Sequence, residues 1–252
     1  MSFLKSNKPL ITSMVQADNP ERIKYLMKKS ARDGADAFGM QFEKLKPEFQ
    51  TPEVYKDLFD CAEGKPVYVT NYRYASNEGK SDETLANEML EIARLGATLC
   101  DVMGDYFDNL GRTCDELTMN AEAIKKQTEL IDRLHKEGAE VLMSSHVMKF
   151  TPAERVLEIA LEHKRRGADI SKIVAHANTM EEQIENLRII ALLKEKLGIP
   201  FLFLCGGECS IMRKIGTKIG CCMSLGVCEY DDIATPVQPL IKKLATIRDN
   251  ID

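Results

Sequence analysis

The chain has 252 residues, of which 44% are hydrophobic and 29% are charged, and its formal net charge is −5. These values are ordinary for a soluble globular protein, and the length is typical of one large α/β domain. The negative charge argues against nucleic acid or an anionic membrane as the main partner, and no signal peptide or membrane-spanning run is evident, so we expect a cytoplasmic protein.

Short apolar runs alternate with amphipathic stretches along the whole chain. The predicted strands, in chain order, are PLITSMV (9–15), GADAF (34–38), PVYVTNY (66–72), GATLCDV (96–102), GAEVLMSSH (138–146), GADISKI (167–173), PFLFLCGG (200–207) and CCMSLGV (221–227). Four of them begin with Gly-Ala directly after a charged helical stretch, and such a glycine ends a helix in the left-handed conformation. We expect Ser81 and Thr151 to cap the helices that follow them.

Eight strands alternating with eight helical stretches predict an α/β fold of the (β/α)₈ TIM-barrel type, with residues 1–252 as a single domain. The alternative is an open doubly wound sheet, but no GxGxxG loop follows the first strand. In a barrel the chemistry lies at the C-terminal ends of the strands, so these ends are the places to look for functional residues.

Eight cysteines occur in the chain, mostly inside apolar segments, where a reduced thiol behaves as a small hydrophobic group. A chain of this length does not need disulfides for stability. Cys205 and Cys209 have a spacing compatible with metal ligands, but a zinc site usually needs four ligands, so we expect packing roles and no metal.

Lys172 stands in the middle of the sixth predicted strand, among Ile170, Ile173 and Val174. Lysine is almost never fully buried without a partner, and in a strand covered by helices its amine can reach solvent only at the barrel mouth. Desolvation favours the neutral form of an amine, which is a nucleophile toward carbonyl groups. A catalytic lysine is therefore a better explanation than a surface lysine.

His146 ends the preceding strand and shares a face with Ser144, so it opens toward the same mouth as Lys172. Beside an imine-forming lysine, a histidine is suited to moving protons near neutral pH. Asp101, at the end of the fourth strand, could orient this histidine or could be a solvated loop carboxylate. His135 and His163 lie in charged helical stretches, and we expect them to be packing or surface residues.

The pair of segments MSSHVMKFTP and RRGADISKIVAHA resembles the type I 3-dehydroquinate dehydratase family, including the spacing from His146 to Lys172. The likeness extends from LITSMV to TPVQP and is clearest over residues 138–220. It implies a (β/α)₈ barrel that is often a homodimer and that uses no dissociable cofactor. It also implies a lyase of the shikimate pathway of aromatic amino acid biosynthesis, which dehydrates 3-dehydroquinate to 3-dehydroshikimate.

The resemblance also assigns roles to individual residues. It implies that Lys172 forms a covalent imine, that His146 is the general acid and base, and that Glu78 and Asp101 support the histidine. The residues that would bind the carboxylate substrate or line its site are Arg213, Gln238, Thr235, Ser13, Arg73, Gln41 and His176.

The chain departs from the family pattern at the second strand, which normally ends E-x-R and holds substrate hydroxyls. Gly39 and Gln41 stand at those two positions, and His176 and Cys205 replace two methionines of the pattern. The predicted chemistry is retained while the hydroxyl-binding wall is changed. One alternative is therefore a divergent lysine-dependent dehydratase, or a class I aldolase, that acts on a different keto acid. The other alternative is a non-catalytic barrel that only binds a carboxylate ligand, although such a protein would have no use for both Lys172 and His146.

Overall fold

The computed structural model describes residues 2–110 and 115–251, and in these ranges strands and helices alternate as predicted. The strands are Leu10–Val15 (β1), Ala37–Gln41 (β2), Val67–Thr70 (β3), Leu99–Met103 (β4), Glu140–His146 (β5), Ile170–His176 (β6), Phe201–Gly206 (β7) and Met223–Gly226 (β8). The helices are Pro20–Arg32 (α1), Pro52–Asp60 (α2), Asp82–Leu95 (α3), Ala121–Lys136 (α4), Ala153–Arg165 (α5), Met180–Lys196 (α6), Met212–Ile219 (α7) and Ile241–Asn250 (α8). Short 3₁₀ helices occupy Phe42–Lys44, Pro47–Phe49 and Ala75–Asn77.

The strands form one eight-stranded sheet in the order β7-β6-β5-β4-β3-β2-β1-β8. Neighbouring strands pair in parallel, as between β1 and β2 or between β5 and β6. This order, with a helix after each strand, is that of the (β/α)₈ barrel class and confirms the predicted fold.

The chain divides into two compact units. The first contains Met1–Asp101, Arg133–Glu140 and Leu225–Ile251, and the second contains Val102–Asp132 and Val141–Ser224. In the first unit Ile11, Ala35, Ile241 and Leu244 form a buried apolar cluster. In the second unit the strands β5, β6 and β7 are almost entirely buried, which fits their continuous apolar sequences.

The glycines that precede β2, β4, β5 and β6 have φ between +85° and +129°, as the Gly-Ala repeat predicted. Ser81 accepts a hydrogen bond from the backbone N–H of Thr84 and caps α3 as expected. The predicted cap at Thr151 is wrong, because Pro152 occupies the N-cap position and the Thr151 hydroxyl is directed to the carbonyl of Lys149. None of the described helices is both long enough and apolar enough to cross a membrane.

Candidate active site

Lys172 lies inside β6 in the second unit, and it is only 4% exposed. The neighbouring Ser171 faces helix α5, where its hydroxyl lies 2.9 Å from Nδ1 of His163. Because side chains alternate along a strand, Lys172 faces away from the helix, as do Val174 and His176. The position within β6 and the direction of Lys172 are therefore those expected from the sequence.

His146 ends β5, and the register of the two strands places it close to Lys172 on the same face. Ser144 pairs with Lys172 and His146 pairs with Val174. With a strand separation of about 4.8 Å and a rise of about 3.3 Å per residue, the Cα atoms of His146 and Lys172 are about 8 Å apart. Two side chains of this length can act on adjacent atoms of one small molecule at that separation.

Glu116 is the carboxylate that holds His146, and the sequence analysis did not single it out. Its Oε2 atom lies 2.6 Å from Nδ1 of His146 and accepts a hydrogen bond of 2.5 Å from the backbone N–H of the same residue. A carboxylate at Nδ1 fixes the orientation of the imidazole ring. The sequence offered no signal for this contact, since Glu116 lies in the segment between β4 and α4, outside every strand and helix.

The backbone of Glu116 is fixed in an uncommon conformation. Its φ is +46°, in the left-handed region that residues other than glycine rarely adopt. Its carbonyl accepts a hydrogen bond of 2.9 Å from the Ser145 hydroxyl. Buried Arg166 donates to the carbonyls of Gly104 and Thr118, at 3.1 and 2.6 Å, and so fixes the same segment on both sides of Glu116. Such strain persists only where the surrounding structure enforces it, which is typical of functional positions.

Arg213 lies in the first turn of α7, and it is 5% exposed. Its Nε donates to the carbonyl of Cys205 at 2.8 Å, at the end of β7. Burial lowers the pKa of Arg213 to about 10, and within the described part of the chain no Asp or Glu forms an ion pair with it. A buried guanidinium without an acidic partner is electrostatically unfavourable until an anion binds, so Arg213 is well suited to a carboxylate ligand.

His176 ends β6 two residues beyond Val174, and its ring packs against the backbone of Gly206. A Cβ atom at Gly206 would lie 3.1 Å from Nε2 of His176, so glycine provides the space for this ring. The Nδ1 atom of His176 is buried and has no hydrogen-bond partner among the described residues. An unpaired buried nitrogen of this kind can bind a polar group of a ligand.

In the first unit, the Gln41 amide is hydrogen-bonded to neighbouring side chains. The Nε2 atom of Gln41 donates to Oε1 of Glu43 at 3.1 Å and to the hydroxyl of Tyr74 at 3.0 Å. Its Oε1 atom accepts a hydrogen bond from Gln16. The amide is thus engaged within the protein, and its contact with substrate stays a prediction.

Gly39 is the other altered residue of β2, and a neighbouring side chain occupies the space beside it. A Cβ atom there would lie 2.3 Å from Sδ of Met14 and 3.2 Å from Cδ1 of Tyr68. The methionine side chain therefore occupies the space that a larger residue at position 39 would need.

Ser13 lies in β1 and contacts helix α1. It is completely buried, and its hydroxyl lies 2.7 Å from the Ser30 hydroxyl on α1. This contact directs Ser13 toward the helix, and its predicted contact with substrate stays a prediction.

Glu43 is a buried acid that the sequence analysis missed, although a carboxylate two residues beyond a buried strand was a usable signal. It is 0% exposed and accepts a hydrogen bond from the Gln41 amide. The Thr70 hydroxyl also donates to it and lies 3.0 Å from each of its carboxylate oxygens. Desolvation raises its pKa above the usual value for a glutamate.

Three further predicted residues of the first unit are placed as follows. Arg73 forms a two-pronged ion pair with Asp82, at 2.6 and 2.8 Å, so its guanidinium already has a carboxylate partner. Asp101 is buried and accepts hydrogen bonds from the hydroxyl groups of Tyr68 and Tyr72. Glu78 is exposed beyond the short helix Ala75–Asn77, and its predicted role in supporting the histidine stays a prediction.

Thr235 and Gln238 lie between β8 and α8. Gln16 holds Thr235 through two contacts, donating to its hydroxyl at 2.9 Å and accepting from its backbone N–H at 2.7 Å. The Oε1 atom of Gln238 is buried and has no partner among the described residues, so it is available to a ligand. Thr235 is therefore engaged with the protein, and Gln238 keeps the predicted binding capacity.

The cysteines in the described residues are free thiols. Cys205 is buried beside Asn186, which donates to its sulfur at 3.3 Å, and Cys209 is directed to the carbonyl of Thr179. Within the described ranges no three His, Cys, Asp or Glu side chains are grouped as metal ligands.

A (β/α)₈ fold with a buried lysine inside β6, a carboxylate-supported histidine at the end of β5 and a buried arginine in the first turn of α7 has the features of a lysine-dependent barrel enzyme. The model of the type I 3-dehydroquinase family matches residues 11–251. The chain belongs to this family, and the predicted family and the predicted enzyme class, a hydro-lyase, are confirmed.

Individual relatives agree with the family match. A 3-dehydroquinate dehydratase from Alkaliphilus oremlandii is 34% identical over 92 residues, a stretch that spans 36% of each chain. The type I 3-dehydroquinate dehydratase from Clostridium difficile, solved with covalently modified comenic acid, superposes with a TM-score of 0.78 at 16% identity, over 98% of this chain and 93% of that one. The 3-dehydroquinate dehydratase from Geobacillus kaustophilus gives the same TM-score and identity and covers both chains fully. At this identity the two structures show the fold.

Proposed function

We propose that the chain dehydrates 3-dehydroquinate to 3-dehydroshikimate through an imine on Lys172. The observation that carries the proposal is the arrangement of Lys172, buried on the inner face of β6, beside His146, whose ring is held by Glu116. Membership of the type I 3-dehydroquinase family supports the choice of substrate.

The mechanism follows from the chemistry of these groups. The neutral amine of Lys172 attacks the ring ketone, and loss of water gives an iminium that accepts electrons from the adjacent C–H bond. His146 takes the proton from that carbon and then gives it to the departing β-hydroxyl, which leaves as water. Water then hydrolyses the imine and restores the lysine and a conjugated ketone. The sum of these steps is the loss of one water molecule from the substrate.

Arg213 binds the substrate carboxylate in this proposal, because its guanidinium is buried and has no acidic partner in the described chain. His176 and Gln238 bind further polar groups, since each has a buried unpaired atom. Asp101 is proposed to support the histidine, as predicted, since its carboxylate is buried and accepts hydrogen bonds from the Tyr68 and Tyr72 hydroxyl groups.

We also propose that the reaction needs no dissociable cofactor, because the Lys172 amine supplies the electron-accepting group itself. The free cysteines fit a reducing, cytoplasmic location. Small carboxylates are the proposed ligands, with no part for nucleic acid or membranes. The match of the family model to residues 11–251 supports one (β/α)₈ domain.

A homodimer is the proposed assembly, with the apolar stripe of α6 as the contact surface. Met180, Ile184 and Leu187 are 68%, 60% and 46% exposed and lie on one face of the helix. Sedimentation velocity should give a dimer for the wild type and a monomer for Ile184→Glu, whereas Lys196→Glu at the end of the same helix should remain a dimer. A monomeric wild type would contradict this assembly.

A second candidate is a lysine-dependent dehydratase or aldolase that acts on another keto acid. The observation in its favour is the state of the two altered residues of β2. Met14 fills the space at Gly39, and the Gln41 amide is hydrogen-bonded to neighbouring side chains. Purified protein should be incubated with 3-dehydroquinate while the absorbance of the conjugated product is followed. Turnover that Lys172→Ala abolishes supports the proposed function, and an inactive wild type favours the second candidate.

A further inference from the structure

Helix α5 carries a histidine that contacts both catalytic strands from behind. His163 is 0% exposed, and its two ring nitrogens lie 3.0 Å from the Ser145 hydroxyl on β5 and 2.9 Å from the Ser171 hydroxyl on β6. Ser145 directly precedes His146, and Ser171 directly precedes Lys172. The ring thus connects the two residues next to the proposed acid–base group and the proposed nucleophile.

The directions of these hydrogen bonds follow from the donor count of each group. The Ser145 hydroxyl donates its only proton to the carbonyl of Glu116, at 2.9 Å, so it accepts from Nε2–H of His163. Neutral His163 then has Nδ1 as an acceptor, and the Ser171 hydroxyl donates to it. A chain of hydrogen bonds therefore runs from β6 through His163 to β5 and to the backbone of Glu116.

This series of hydrogen bonds ends at Glu116, the residue that orients His146. Glu116 has a left-handed backbone, and its carboxylate holds both the ring and the backbone N–H of His146. Three residues beyond His163, Arg166 donates to the carbonyl of Thr118 in the same segment. Helix α5 and its C-cap residue Arg166 therefore contact the strand of the proposed nucleophile, the strand of the proposed acid–base group and the segment that carries the supporting carboxylate.

We propose that His163 is a positioning residue for the dehydration, which sets the geometry of His146 against Lys172 through Ser145, Ser171 and Glu116. The inference rests on the proposed function. Loss of the link is expected to lower kcat and leave KM nearly unchanged, because substrate still binds while proton transfer loses its alignment.

The kinetic test uses His163→Leu, His163→Gln, Ser145→Ala and Ser171→Ala with 3-dehydroquinate. We expect kcat to fall by roughly ten- to hundredfold in His163→Leu and Ser145→Ala, with KM within about twofold. Glutamine offers a donor and an acceptor, so His163→Gln should recover part of the loss. The matched control is Ser30→Ala, which removes another buried hydroxyl contact between a helix and a strand, that of α1 with β1. It should lower stability to a similar extent without changing kcat.

A spectroscopic measurement decides the same question without turnover. The chain has only four histidines, so the ring ¹⁵N signals of the labelled protein can be assigned with few variants. In Ser145→Ala the Nδ1 signal of His146 should move, since Glu116 loses a contact, whereas in Ser30→Ala it should stay in place.

Each outcome separates this inference from the proposed function. Unchanged kcat and unchanged His146 signals in Ser145→Ala and Ser171→Ala would overturn the positioning role, and His163 would then be a packing residue only. An inactive wild type would contradict the proposed function, and the His146 signals would still test the inference. If His163→Leu does not fold, the two serine variants decide.

Discussion

Nδ1 of His146 lies 2.6 Å from a carboxylate oxygen of Glu116, and the two residues are 30 positions apart in the chain. The contact fixes the orientation of the imidazole, which the proposed role of His146 as general acid and base requires. His146→Ala should slow elimination by roughly 10²–10⁴-fold while imine formation continues. Glu116→Gln should give a smaller loss of kcat, because the side chain keeps its shape but loses its charge.

Single-turnover experiments can separate the two steps in these variants. Borohydride trapping reports the imine, and absorbance reports the eliminated product. Asp108→Asn, in the same segment but outside the contact with His146, is the control. An unchanged elimination rate in His146→Ala would mean that another group moves the proton.

Lys172 should be the only lysine that forms an adduct with substrate. Borohydride reduction of the incubated protein should add the mass of the reduced ligand to the peptide that contains ISKIVAHA, and Lys172→Ala should show no addition. Lys149 has a side chain that is 65% exposed, so it serves as an internal control for non-specific modification. An adduct on Lys149, or none on Lys172, would contradict the imine mechanism.

Arg213→Ala should raise KM for a carboxylate substrate. Hydrogen bonds to charged groups contribute roughly 1.5–3 kcal/mol, which corresponds on the order of ten- to hundredfold in KM. Arg213→Lys should recover only part of the affinity, because an ammonium lacks the planar pair of donors. Arg188→Ala, which removes an exposed arginine from α6, should leave KM unchanged. Normal KM in Arg213→Ala would place the carboxylate elsewhere.

Glu43 should make the protein less stable as the pH rises. Burial raises its pKa above the unfolded value of 4.5, so between the two values the folded state binds more protons and stability falls with pH. Glu43→Gln should therefore raise Tm at pH 8 and make little difference below pH 4.5, where both states are protonated. A rise of one pKa unit is worth about 1.4 kcal/mol, or roughly 3–6 °C in Tm. A Tm gain that is independent of pH would contradict this account.

The altered residues of β2, Gly39 and Gln41, should lower kcat/KM for 3-dehydroquinate relative to other family members. Met14 fills the space beside Gly39, and the Gln41 amide is used within the protein, so few groups remain there for substrate hydroxyls. We expect a better substrate that keeps the ketone, the β-leaving group and the carboxylate but differs in its hydroxyls. Steady-state kinetics on dehydroquinate and on deoxygenated cyclic keto acids will test this. Typical efficiency on dehydroquinate, with every analogue poorer, would show that the change at β2 has no effect on substrate choice.

The sequence by itself determined the order of the elements and the two residues at the centre of the proposed chemistry. Helix-ending glycines and apolar runs act locally, so the strands that carry His146 and Lys172 could be located without any long-range contact. The direction of Lys172 followed as well, because alternation along a strand is a local property. These signals were strong enough to identify the family from two short segments.

Only the tertiary structure decided which side chains are engaged and which are unpaired. Glu116 meets His146 through a segment without regular structure, and Ser13 turns to Ser30 on a helix, so neither contact has a local pattern. The burial of Arg213 without an acidic partner, and of Glu43 within a set of donors, depends on packing by residues far away in the chain. Hydrogen-bond partners and desolvation are properties of the folded surroundings, and for this reason the histidine's carboxylate and the role of His163 could be read only from the structure.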